Sequence, residues 1–375
     1  MPRLAPVSLD EYLLGEPLGS GAMALVFDAV HKATGVPVAI KLLEGSSRGS
    51  RELRERMARE AVVMASVQSP NVSRLLGYGW EGEQPFLVLE RLGGETLAAL
   101  LRREKRLSPA RMVDWVEQLL LGLRDCHRVN VIHRDVKPAN IFLERLPGQA
   151  EPVVKLIDFG VARLNELASA GVSLTSTHHL IGSVGYMAPE QLEYARGVSP
   201  AADLYAAGVV IFRSLSGRLP FVGRSFDVLT KLKTEATAPR LSSLPGMPPN
   251  DALDEFLARA LRRDPQARFA SAAEMLQDWW RVVAALDRDA VMPEIEVVFD
   301  EDEWTSTMAS SLAVSATGPI SAPGQSPGST SVTLQARLRL EADVDAATDP
   351  QLTRPSDATL QTAGAAFERE PPSKP

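Results

Sequence analysis

Residues 131–143 read VIHRDVKPANIFL: a short apolar strand, a polar loop, then a second strand. In His133–Asn140 five polar or charged side chains surround a valine, a proline and an alanine. Such a loop is either ordinary surface or a site that holds a carboxylate, an ammonium and an amide within a few residues. Eighteen residues past Asn140 the stretch VVKLIDFGVAR supplies another strand, which ends in Asp158. Asp135, Lys137, Asn140 and Asp158 therefore all sit at or beside strand ends, where several loops can converge. An Asp–Asn pair suits Mg²⁺, which takes hard oxygen ligands and shares its shell with waters and phosphates. A carboxylate beside a cation can accept a hydroxyl proton during phosphoryl transfer.

Two further features carry chemistry. LGSGAMALVF (18–27) places Gly19 and Gly21 between strand-like segments. Glycines let backbone amides come close to a phosphate, but a plain hairpin turn gives the same pattern. A dinucleotide fold would want a helix after the loop. Here LVFDAVHK reads as a strand, which points to a hairpin over phosphates. In VPVAIKLL, Lys41 interrupts a run of aliphatics. It either snorkels from a sheet edge or meets a carboxylate. The next helix offers one: Leu53, Met57, Met64 and Val67 share a face, and Glu60 falls inside that stripe. A carboxylate there needs a cation, with Lys41 the nearest candidate. The alternative is a glutamate at the rim of the stripe.

The bulk composition sets limits. The chain has 375 residues, 45% hydrophobic and 23% charged, with a formal net charge of −7. This is the balance of an ordinary soluble protein and not of a general nucleic-acid binder. The lone cysteine, Cys126, excludes a disulfide framework or a thiolate zinc site within one chain, and its helical apolar setting makes it a core residue. The start, MPRLAPVSLDEY, lacks the apolar core of a signal peptide. No run approaches the ~20 apolar residues of a membrane span. The expectation is a soluble, cytoplasmic protein.

Residues 12 to about 90 look strand-rich with one helix, and residues 96–130 and 200–290 carry helical periodicity. After about residue 290 the composition shifts. An acidic linker (286–304, with PEIEVVFDEDEW) leads to a Ser/Thr/Pro/Ala-rich tail (305–375), which cannot bury enough apolar surface to offset the entropy of ordering. The linker reads as solvated, with a docking motif as the alternative.

Taken together, the chain resembles the protein kinases over residues 12–285, and most closely the eukaryotic-like serine/threonine kinases of bacteria. The signatures occur in order: GSGAMALV, VAIK, Glu60, HRDVKPAN, DFG (158–160), APE (188–190), DLYAAG (203–208) and DPQARF (264–269). Each is modest alone; the ordered set is specific. The resemblance implies an α+β, bilobal fold, with a small β-rich lobe (12–90) and a larger helical lobe (93–285). It implies ATP, with Mg²⁺ or alternatively Mn²⁺, and protein substrates.

Position by position, the resemblance gives Leu18, Gly19, Ser20, Gly21, Val26, Ala39, Lys41, Leu89, Glu90 and Leu92 to ATP. Leu89–Leu92 would be the hinge that binds adenine through its backbone, with Leu89 as gatekeeper. Lys41 would hold the α- and β-phosphates and pair with Glu60. Asp135 would orient the substrate hydroxyl and accept its proton, and Lys137 would neutralise the γ-phosphate. Asn140 and Asp158 would hold the metal. Glu190 and Arg268 would form a structural ion pair, Asp203 would brace the catalytic loop, and His133 would be a packing residue.

Arg134, beside Asp135, would pair with phosphate on Thr175 or Thr177, so that autophosphorylation orders the loop between Asp158 and Glu190. Two positions depart from the family pattern: Ala24 replaces the third glycine, and Ser183 stands in place of a threonine. The rival readings are a pseudokinase scaffold, which would need loss of Lys41, Asp135 or Asp158, and a small-molecule phosphotransferase. The segment GSVGYMAPEQ, similar to a peptide-positioning loop, argues against the latter. Signal transduction is the implied role. The tail offers sites to phosphothreonine-binding or docking partners, and dimerisation stays open.

Overall fold

The continuous apolar run of β4 (Pro37–Leu43) makes it an interior strand: Val38, Ala39, Ile40, Leu42 and Leu43 are all buried. The computed structural model describes residues 4–21, 24–43, 51–158, 184–193 and 198–286. Beside β4 lie β1 (Pro6–Val7), β2 (Tyr12–Gly21), β3 (Ala24–His31), β5 (Leu75–Glu81) and β6 (Gln84–Glu90). They form one sheet in the order β1-β5-β6-β4-β3-β2, in which only β1–β5 is parallel. The register sets Lys41 opposite Val26 and Leu87, and Ala39 opposite Leu89. Opposed residues point to the same face, so Val26, Ala39, Lys41 and Leu89 share one.

The sheet gains a segment that precedes residue 12. Ser8 starts a short helical turn (Leu9–Glu11): its amide donates to Glu11 Oε1 at 2.7 Å, and its hydroxyl accepts from Asp10 N at 3.3 Å. A two-residue strand carries no readable period, which is why the sequence reading starts the domain at Tyr12.

Helix α1 (Arg51–Ala65) buries Met57, Ala61 and Met64. Arg54 holds it against β5 and β6, with its guanidinium 4.8 Å from the Trp80 ring centre and a 3.0 Å bond to the Gly82 carbonyl.

The larger lobe begins with β7 (Gly94–Thr96), α2 (Leu97–Glu104) and α3 (Pro109–Arg128). Strands β8 (Ile141–Glu144) and β9 (Val153–Leu156) pair with β7 in a three-stranded sheet. Gly122 lets α3 come close to that sheet. A Cβ there would stand 2.8 Å from the Asn71 carbonyl and 3.1 Å from Leu156 Cδ1. Asn71 and Gln118 then fix β9: Asn71 Nδ2 donates to the Val154 carbonyl at 2.9 Å, and Val154 N donates to Gln118 Oε1 at 2.9 Å.

The remaining helices are α4 (Pro189–Glu193), α5 (Pro200–Ser216), α6 (Phe226–Glu235), α7 (Asp251–Ala260) and α8 (Ala272–Ala285). Helix α5 is buried from Ala202 to Ser216, which explains its run AAGVVIF. Pro200 opens it and Gly217, at φ +74°, closes it in the left-handed region. Trp279 of α8 is fully buried between Phe256 and α3, and its indole donates to the Val113 carbonyl at 3.2 Å. Losing its ring would cost about 3–5 kcal/mol. Cys126 is a buried core residue.

The architecture is the α+β, two-lobed one that the sequence implies. Among the described helices none is long and apolar enough to cross a membrane. Leu286 packs on the core. The rest of the expected linker and the whole tail lie outside the described residues.

Candidate active site

The loop after α3 is fixed from beneath. Asp203 of α5 is 1% exposed. Its Oδ2 accepts from His133 N at 2.8 Å and its Oδ1 from Arg134 N at 2.8 Å. The His127 ring nitrogen Nε2 lies 2.8 Å from the same carboxylate. These bonds hold Arg134 at φ +68°, a strained conformation for a residue with a Cβ. His133 is fully buried with Nε2 3.0 Å from the Ile157 carbonyl, so it packs and ties the loop to the residue after β9; the strand expected at 131–132 is not formed.

On this base the polar side chains converge. Lys137 Nζ lies 2.8 Å from Asp135 Oδ2. Asn140 Nδ2 donates to the Asp135 carbonyl at 2.8 Å and to Asp135 Oδ2 at 2.9 Å. The Asn140 amide nitrogen is thus directed at Asp135, leaving its Oδ1 to act as an oxygen donor. The Ile157 amide donates to the Asn140 carbonyl at 3.0 Å, which ties the loop to the end of β9.

Asp158 follows that end at φ +62°. Its Oδ1 stands 2.6 Å from Lys41 Nζ, and the Lys41 side chain is 8% exposed. Burial pushes the Asp158 pKa up, but Lys41, with smaller help from His133 and Lys137, outweighs it and holds the carboxyl below its ordinary value. Lys41 is thus paired with Asp158 in this structure. Asp158 is brought to Lys41 by the end of β9, a contact between residues far apart in the chain.

Glu60 itself is half-buried on α1. With Val63 and Met64 it faces residues 130–132 and Arg134 across a cavity of about 40 Å³, room for about one water.

Among the described residues no group of three or more His, Cys, Asp or Glu side chains could hold a metal. The oxygens of Asn140 and Asp158 fit a hard cation that keeps waters and phosphates in its shell, as Mg²⁺ does.

The remaining expected nucleotide residues lie on β2, β3, β4, β6 and the segment after it. The strands β2 and β3 pair as Gly19 with Val26, Ser20 with Leu25 and Gly21 with Ala24, so the glycine loop is a hairpin and not a strand–helix turn. Leu18 is exposed and Ala39 buried. Leu92 is buried, and its carbonyl accepts from Arg91 Nη1. Arg91 Nε donates to Asp28 Oδ1 of β3 at 2.8 Å. The Glu90 carboxylate accepts from Lys155 Nζ at 2.7 Å and from Arg74 N at 3.0 Å.

The segment after residue 183 is anchored at its far end. Arg268, with a fully buried side chain, bonds both carboxylate oxygens of Glu190 at 2.7 and 2.8 Å. Gln191 accepts from Ala188 N at 2.9 Å and donates to the Arg134 carbonyl at 3.0 Å, which joins this segment to the catalytic loop. Thr175, Thr177 and Ser183 lie outside the described residues.

Sequence reasoning missed Arg91, Lys155 and Gln191. Lys155 had a signal: like Lys41, it is a charge inside an apolar strand. Arg91 and Gln191 look like ordinary surface residues in sequence.

The chain is also similar to known proteins. The family described as "Protein kinase domain" matches residues 12–281. The chain is 32% identical over 287 residues to the serine/threonine-protein kinase PknL of Mycobacterium tuberculosis, covering 76% of this chain and 68% of that one. It is 35% identical over 285 residues to the serine/threonine-protein kinase PkaA of Streptomyces coelicolor, covering 73% and 50%. It is 34% identical over 267 residues to the serine/threonine-protein kinase pkn3 of Myxococcus xanthus, covering 70% and 48%. With the ordered motifs, the two-lobed fold and these matches, the chain belongs to the protein kinase family, among the eukaryotic-like serine/threonine kinases of bacteria.

Proposed function

We propose that this kinase transfers the γ-phosphate of ATP to serine and threonine hydroxyls of proteins in a reaction that depends on Mg²⁺. The observation that carries this reading is the junction of two charged clusters: Asp135–Lys137–Asn140, with contacts of 2.8–2.9 Å, and Lys41–Asp158 at 2.6 Å.

Asp135, turned by Asn140 and flanked by Lys137, orients the acceptor hydroxyl and takes its proton. Lys137 offsets charge on the transferred group, and Lys41 contacts the other phosphates. Asn140 and Asp158 hold the cation, which supplies charge neutralisation at the phosphates when bound. Leu18, Gly19, Ser20, Gly21, Val26, Ala39, Leu89, Glu90 and Leu92 enclose the nucleotide. Glu60 pairs with Lys41. Its half-buried place on α1, between the buried Met57 and Met64, supports that reading.

Control is by autophosphorylation. Phosphate on Thr175 or Thr177 pairs with Arg134 and orders the loop that leads to the platform at 184–191. The support is that the Arg134 backbone is held on both sides, by Asp203 and by Gln191.

The test is incubation of the purified chain with radiolabelled ATP, Mg²⁺ and a generic protein acceptor, followed by phosphoamino-acid analysis. Label on serine or threonine that is lost with EDTA is the expected result. ATP hydrolysis without label on protein would favour a small-molecule phosphotransferase.

A further inference from the structure

Helix α6 carries a lysine on its buried face. Phe226, Leu229 and Lys233 follow at i, i+3 and i+7, so Lys233 shares the apolar stripe. It is 1% exposed. Its Nζ donates to the Gly185 carbonyl and to the Met187 carbonyl, each at 2.7 Å. The Tyr205 ring of α5 lies 5.3 Å from it. Among the described residues no carboxylate pairs with it, and burial lowers its pKa to about 7. A lysine kept in such a place needs a reason, because desolvating it is costly.

The reason lies in what it holds. Residues 184–187 rest on α6 through a small apolar cluster of Val184, Phe221 and Leu229, with Met187, Phe226 and Leu232 around it. That cluster supplies no donor for the two carbonyls. The Lys233 amine has two hydrogens for them even when neutral, so the tie survives loss of its charge. On its other side the same segment is joined to the catalytic loop by Gln191.

We infer that Lys233 is a positioning residue for the protein substrate: by fixing the backbone at 185–187 it sets the shape of the platform that receives the chain beside the acceptor hydroxyl. This rests on the protein-kinase reading above, with 184–191 as that platform. Lys233 acts on the acceptor and not on the nucleotide.

The full chain, Lys233→Met and Lys233→Gln are compared with myelin basic protein as acceptor. KM is measured for acceptor and for ATP, together with acceptor-free ATP hydrolysis. Lys233→Met keeps the apolar volume and strands both carbonyls. The acceptor KM rises about tenfold or more, the scale of one buried polar group left unpaired. The KM for ATP and acceptor-free hydrolysis stay within about twofold, so the defect is separated from general damage. Lys233→Gln, with two N–H donors on a shorter stem, falls between the two.

An unchanged acceptor KM overturns the inference, and so does an equal loss of transfer and hydrolysis. Should only Lys233→Gln fold, an unchanged acceptor KM in it has the same force. A wild-type chain that hydrolyses ATP but labels no acceptor overturns the protein-kinase reading, and this role with it. Normal wild-type transfer with an indifferent Lys233→Met overturns the Lys233 role alone.

Discussion

Lys41 Nζ and Asp158 Oδ1 stand 2.6 Å apart, so the central strand of the small lobe is closed onto the strand end that leads away from the catalytic loop. One bond joins two elements 117 positions apart in sequence. The loop before Asp158 is equally determined: Asp203 fixes two successive amides, and Asn140 fixes the Asp135 carboxylate. The site is thus held by polar bonds that start deep in the helical lobe.

The ion pair between Glu190 and Arg268 should be a large stabilising element. The Arg268 guanidinium also donates to the carbonyls of Ala201, Arg262 and Arg263, at 3.0, 2.7 and 2.9 Å. Arg268→Ala strands the Glu190 carboxylate and these carbonyls. It should cost about 3–5 kcal/mol in urea unfolding. The double variant Glu190→Ala/Arg268→Ala should cost much less than the sum of the single changes, since both remove one interaction. Additive losses would show that the two residues act separately.

Lys233 gives a pH signature to stability. Its folded pKa, about 7, is below the ordinary lysine value of 10.5. Between those values the unfolded chain carries a proton on this side chain that the folded chain lacks, so this contribution makes stability rise with pH across that window. Below about 7 it is flat, because both states are protonated. The neighbouring titratable and charged groups are Tyr205 of α5, Glu190 of α4 and Arg268, whose guanidinium lies 4.9 Å from the Tyr205 ring centre. The Tyr205 pKa is pushed up by burial, away from the window. Unfolding free energies of wild type and Lys233→Met, taken from pH 7 to 10, should differ by an amount that grows in favour of the wild type. A constant difference would mean that Lys233 keeps its proton.

Loss of both loop threonines should expose the control step. Thr175→Ala/Thr177→Ala should lower acceptor phosphorylation markedly, and mass spectrometry of the active wild type should find phosphate on one of the two. Arg134→Ala should mimic the loss and add little to it. An unmodified loop in fully active enzyme would refute this control.

Much of this was legible in the sequence where chemistry is local. The aliphatic run around Lys41 made β4, and the glycine pair between two strand patterns gave the β2–β3 hairpin. The spacing in His133–Asn140 put three polar groups on one loop. Long-range pairing was less legible. Nothing in the spacing says that Lys41 meets Asp158, because the sheets that bring them together are set by non-local contacts. Met57 and Met64 are buried as the α1 stripe requires, while Glu60 between them is only half-buried. Lys233 could have been found: it falls at i+4 from Leu229 on an apolar stripe, the reasoning that singled out Glu60.

The central claim is phosphoryl transfer by the Asp135 and Lys41 clusters, and its most direct measurement is the initial rate of Mg²⁺–ATP-dependent serine/threonine autophosphorylation in wild type, Lys41→Met and Asp135→Asn. Each substitution removes one positioned charge, so each rate should fall at least about a hundredfold while the folded state, checked by circular dichroism, is kept. Near-normal turnover in either folded variant would contradict the account and return the chain to a scaffold role.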